Sequence, residues 1–113
     1  MAAIANLTID QGASFNSDVT VKDANNNAFN LTGYTAAAKM AKGYASTRTR
    51  TTITATVAGD ASTGVVTLSM TAADTASLDA ERYVYDLEIT QTSSGTVTRV
   101  IEGIITVRPQ VTT

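Results

Sequence analysis

Apolar and polar residues alternate along most of this chain. The period is two, that of a strand which buries one face. Leu7 and Ile9 mark an opening strand, Ile4 to Asp10. Phe15, Ser17, Val19 and Val21 then alternate with Asn16, Asp18, Thr20 and Lys22. Tyr34, Ala36, Ala38 and Met40 share one face of a strand over Tyr34 to Lys42, and Ile53, Ala55 and Val57 do so over Thr51 to Ala58. Val66, Leu68 and Met70 follow the turn "GDASTG". In "RYVYDLEIT", Tyr83, Tyr85, Leu87 and Ile89 point inward, and Val84, Asp86, Glu88 and Thr90 outward. Thr96 to Arg108 is the last and longest strand.

The alternation fails once, at "MTAADTASL". There Thr71 is placed to cap the amide of Asp74, whose carboxylate suits a helix N-terminus. One or two helical turns are predicted over Ala72 to Leu78, between the fifth and sixth strands. Seven strands in 113 residues, with turns at sandwich spacing, predict an all-β, immunoglobulin-like β-sandwich of antiparallel strands. One domain is expected over residues 1–113, with short extended N- and C-terminal arms. Asp79 stands four residues before Tyr83, the spacing of a tyrosine corner.

The closing hairpin predicts its own register. Pairing Gln91 with Thr96 leaves a four-residue loop and sets Glu88 opposite Arg99, Leu87 opposite Val100 and Tyr83 opposite Ile104. The other parity would put Arg99 on the core face, at more cost than an exposed ion pair returns. The chosen parity turns Glu102 inward near Tyr85, and Gly103 is the expected site of a bulge that relieves it.

Composition narrows the chemistry. Thr supplies 21 residues and Pro one, which suits pleated surfaces. With no Cys and no His, disulfides, Cys/His zinc sites and the common catalytic triads are excluded. A net charge of −2 gives no general attraction to nucleic acid or to an anionic membrane. "MAAIANLTI" has neither the basic start nor the apolar run of a signal peptide. No window reaches the roughly 20 apolar residues of a membrane helix.

Three constellations carry candidate chemistry. Asp23, Asn25 and Asn27 occupy the first, third and fifth positions of a calcium loop, but Ala28 stands where Gly is needed and Tyr34 where a bidentate Glu is. A hairpin with an Asx-turn is the better reading. Asp86 and Glu88 share a strand face at about 7 Å, a solvated face without a cleft to make it catalytic. "KMAKGYASTRTR" holds Lys39, Lys42, Tyr44, Arg48 and Arg50 and no acid. An inter-strand loop is the plain reading. Contact with an acidic surface on a neighbouring subunit is the sharper one, and these five residues are the candidate partner contacts.

"IDQGASF", "VKDANNNAFNLTGYTAAAKM", "GVVTLSMTAADTASL" and "RYVYDLEITQTSSGTVTRVIEGIITVRPQV" resemble segments of small β-sandwich proteins of tailed bacteriophages. The likeness spans nearly the whole chain and extends distantly to the N-terminal domain of siphophage upper-baseplate proteins. Asn30, where that family often has Asp, and Asp79-Ala80-Glu81, where a Pro-Ala-Gly turn is usual, depart from it. The resemblance implies a non-enzymatic virion structural protein, made in the host cytoplasm, without cofactor or metal. It implies several copies docked on larger tail, neck, baseplate or fibre-attachment proteins. Capsid decoration is the alternative. A surface glycan- or receptor-binding module is the second, and would use Asp23 to Asn27, Ser46 to Arg50 and Gln91 to Gly95.

Overall fold

The computed structural model describes residues 3–43 and 49–112. Among them run eight strands: β1 (Ala3–Ile4), β2 (Leu7–Asp10), β3 (Phe15–Thr20), β4 (Tyr34–Ala41), β5 (Thr51–Val57), β6 (Val65–Met70), β7 (Arg82–Gln91) and β8 (Val97–Arg108). A short helix, α1 (Ala72–Ala76), separates β6 from β7. The expected all-β, immunoglobulin-like architecture is present, as one sheet curled into two layers; the sheet is mixed and not wholly antiparallel as expected, because β1 and β2 run parallel to β8.

The order is β1-β8-β7-β4-β5-β6-β3, with β2 also on β8. The curl happens inside β5. Its residues Thr51 to Ile53 pair with β4, and Thr54 to Val57 pair with β6. Between the layers lie Ile9, Leu31, Met40, Ile53, Val66, Leu68, Tyr85, Leu87, Ile89 and Ile105, each at most 2% exposed. Most are inward positions of the alternating pattern; Leu31 lies in the connection before β4, and Ile105 takes the core place that the expected register gave to Ile104. Burial of such side chains is the main stabilising term of the fold.

Local signals resolve as the residues dictate. Thr71 accepts the amide of Asp74 at 3.2 Å, and Leu78 is buried beyond the helix. The Tyr83 hydroxyl accepts the Asp79 amide at 3.0 Å and donates to the Asp79 carbonyl at 3.1 Å, so the tyrosine corner is formed.

The closing hairpin keeps its expected start, with Glu88 opposite Arg99, and then departs from the reading. Leu87 pairs with Ile101, not Val100, and Tyr83 with Ile105, not Ile104. The bulge is at Val100, three residues before Gly103. This single extra residue turns Glu102 outward, opposite Asp86, so no carboxylate enters the core. Arg99 then reaches Asp86 and Glu102, at 3.3 Å each, rather than the Glu88 it faces.

The opening strand forms a parallel edge on β8. Ala3 and Ile4 pair with Ile101 and Glu102, and Leu7 to Asp10 pair with Ile105 to Arg108. A continuous ladder would give the Ile104 amide to the carbonyl of Ala5. That carbonyl accepts the buried Tyr85 hydroxyl, and Asn6 Oδ1 takes the Ile104 amide at 3.0 Å. The peptide turned at Ala5 divides the opening strand into β1 and β2. Gly103 serves this crossing: a Cβ there would lie 2.2 Å from the Ala5 carbonyl oxygen.

Candidate functional site

The motifs that carry the family resemblance turn out to tie the fold together. In "IDQGASF", Gln11 Nε2 donates to the Leu78 carbonyl at 2.7 Å, and Gln11 Oε1 accepts the Gln110 amide at 3.0 Å. Gly12, at φ +81°, leaves room for the Gln110 side chain, which a Cβ would strike at 2.2 Å. Thr75 of α1, fully buried, donates to the Ala13 carbonyl and accepts the Gly12 amide. In "NLTGYT", Leu31 is buried, Gly33 offers its carbonyl to the amide and hydroxyl of Thr92, and Tyr34 meets Phe29 edge to face at 5.4 Å.

"DANNN" is a tight bend. Asp23 Oδ1 accepts the amides of Asn25 and Asn27 at 2.9 and 3.0 Å, and Lys22 bridges to Ala28. Asn26 takes the left-handed φ of +64°, which Asn tolerates better than most residues. The acid that resembled the first ligand of a metal loop is engaged by the turn's own backbone.

The basic block is divided. Lys39 points outward from β4, in the rung shared by Asp86 and Thr52. With Arg50, Gly43, Val84 and Asp86 it borders a depression of about 60 Å³. That is far below the few hundred Å³ that an organic ligand fills. Arg50 Nη1 donates to the Gly43 carbonyl at 3.4 Å. Lys42, at the end of β4, turns to the tyrosine corner instead. Its ammonium pairs with Asp79 and lies 3.3 Å from Glu81. The hydrogen bonds that Lys42 donates to Asp79 and then to Glu81 raise its pKa above the ordinary lysine value. Lys42 thus has an acidic partner within its own chain, 37 residues away. Tyr44 and Arg48 lie outside the described residues.

Two surfaces remain that periodicity did not single out. One is an apolar row on the outer face of the first layer: Ile4 is 75% exposed and Ile104 41%, with Val84 opposite Ile104. The other is a groove of about 330 Å³ between β2 and β3, lined by Leu7, Thr8, Asp10, Phe15, Asn16 and Ser17 among others. Alternation shows which residues face the core. Which strands end at a sheet edge depends on pairing, and no signal in the sequence announced it.

No family model matches the chain, and no curated protein does. Among solved structures, the NK cell receptor NKp44 aligns over 95% of this chain and 98% of its own, at 14% identity and a TM-score of 0.48. The N-terminal domain of ORF48 from phage TP901-1 aligns over 92% of this chain and 85% of its own, at 11% identity and a TM-score of 0.57. At such identity the likeness is one of fold: the chain is built like a domain found in a phage protein.

Proposed function

We propose that this chain is a non-enzymatic structural component of a tailed-phage particle, a small rigid adaptor that docks on larger virion proteins. The observation that carries the reading is the fold shared with the N-terminal domain of the phage TP901-1 protein ORF48 over 92% of the chain. The sequence resemblance to tailed-phage β-sandwich proteins points the same way, and its distant extension to upper-baseplate proteins favours the tail side over head decoration.

The chemistry fits a docking body. Asp86, the best-placed acid of the outward carboxylate pair, is engaged by Arg99. The tyrosines of the closing hairpin are buried and bonded to backbone, not presented to a glycan. The partners are other virion proteins, met in several copies per particle through sheet surfaces and edges. Lys39, exposed on the outward face of β4, is the residue of the basic block proposed to join such a contact.

Purified particles from the host strain that carries the gene provide the test. Mass spectrometry is expected to find the chain at a stoichiometry of several copies, and a low-resolution map to place it beside tail proteins. Its absence from washed particles would overturn the reading; density on the capsid shell would move it to the head.

A further inference from the structure

The second layer ends at β3, and the ladder there has a fixed parity. The Val21 amide donates to the Gly64 carbonyl at 2.7 Å, one rung beyond the Thr20–Val65 pair. Phe15, Ser17 and Val19 therefore turn their amides and carbonyls to β6. Asn16, Asp18 and Thr20 turn theirs away from the sheet, where no backbone group of the described residues takes them.

Across the groove, β2 shows the same parity. Ala5 and Gln11 donate to Glu102 and Arg108 of β8, at 2.9 and 3.0 Å. Thr8, of opposite parity, points its backbone into the groove. Leu7 and Phe15 are half-buried there. Edge strands are usually guarded by Lys, Pro or a bulge. β3 has none of these. Its one charge, Asp18, is held on the sheet face by the Thr67 hydroxyl at 2.7 Å.

We infer that the β3 edge accepts an extended segment of a different protein chain, which adds to the second layer as a further strand. Unpaired backbone groups demand a strand, and alternate side chains would rest over Leu7 and Phe15. The segment is neutral or basic. Asp10, the ionisable residue that lines the groove, is paired with Arg108 at 2.8 Å, so the charge left at this edge is that of Asp18, one rung beyond, which is held by a hydroxyl and not by a cation. A second copy is the poorer occupant. Two-fold pairing of β3 with itself, centred on Asp18 or Ser17, brings the two Asp18 carboxylates opposite or diagonal on one face, which is repulsive. The inference rests on the docking function proposed above and names where docking occurs.

The test is an NMR titration of the ¹⁵N-labelled protein with a synthetic peptide of alternating Val and Thr ended by Lys at both termini. The amides of Asn16, Asp18 and Thr20 are expected to gain protection from hydrogen exchange, while those of Ser17 and Val19 keep theirs. N-methylation of alternate peptide residues leaves the protein untouched and is expected to weaken binding about tenfold or more. A Glu-ended peptide is expected to bind more weakly than the Lys-ended one. Asn16→Pro removes one outward donor without entering the β3–β6 ladder and is expected to weaken binding while the protein stays folded. Unchanged exchange at the three amides in millimolar peptide overturns the inference, as does indifference to N-methylation. Protection that appears on concentrating the protein alone assigns the edge to a second copy and overturns it equally. Absence of the chain from particles would instead overturn the functional reading and leave this result standing.

Discussion

Tyr83 and Tyr85 stand two residues apart on β7, both inward and both buried, yet they anchor different regions. Tyr83 bonds to Asp79, four residues back, and closes a corner. Tyr85 bonds to Ala5, eighty residues away, and closes the seam between the N-terminal edge and β8. The corner is a local device that the chain can form as soon as β7 emerges from the α1 connection. The seam exists only when both ends of the chain have met. Identical side chains in one strand thus hold two levels of organisation, and each can be broken separately.

Gly103→Ala attacks the seam most directly. Its Cβ would meet the Ala5 carbonyl oxygen at 2.2 Å and carbon at 2.9 Å, both backbone. A loss of about 1–3 kcal/mol, toward the upper end because the struck atoms are backbone, is expected by denaturant unfolding. Gly59→Ala, where no atom lies within 4 Å, is the control and is expected to be nearly neutral.

Tyr85→Phe and Tyr83→Phe are each expected to cost about 1–2 kcal/mol, because a part-buried backbone group loses its partner. What separates the regions is coupling. In a chain lacking residues 1–5, itself less stable than the full one, the cost of Tyr85→Phe is expected to vanish while that of Tyr83→Phe persists. A double-mutant cycle measures this, and equal additivity for both would show that the seam is not held by Tyr85.

A pH titration sharpens the same contrast. Burial pushes the Tyr85 phenol up from 10.0 to about 12, and burial also raises that of Tyr83. A raised phenol pKa means that the folded state holds its proton more tightly than the unfolded chain. The Tyr85 contribution is therefore whole below pH 10.0 and is lost as pH climbs toward about 12. Unfolding midpoints are expected to fall in that window, with the fall reduced in Tyr85→Phe.

The smallest effect belongs to the corner's outer rim. Lys42→Ala removes exposed pairs with Asp79 and Glu81 and is expected to leave the thermal midpoint unresolved from wild type. A clear drop would mean that the ion pairs, and not the tyrosine, hold the corner.

This contrast also explains what was legible in the chain. Inward residues such as Leu68, Leu87 and Ile89 follow from alternation, because the face a side chain takes depends on its own strand. The Thr71 cap and the Tyr83 corner follow from spacing, because both partners lie within four residues. The bulge could be required from the sequence, since Glu102 had to leave the core. Its position could not, because Gly103 looked like the weak point while its role was to admit the peptide at Ala5. The basic block was legible as composition only. Lys42 finds Asp79 and Glu81 through a fold that brings residues 37 apart together, and Lys39 turns to the opposite side of its strand. The β3 edge was hidden for the same reason, since edges are defined by the strands that do not come.

One consequence of the parallel seam is mechanical. Because β2 and β8 run in the same direction over four rungs, the chain enters and leaves the domain at opposite ends of that ladder. Tension applied between the two ends slides the strands lengthwise and loads all four rungs together. An antiparallel edge gripped at one end would open rung by rung. A body built this way yields late when pulled along its length and easily when peeled from the side.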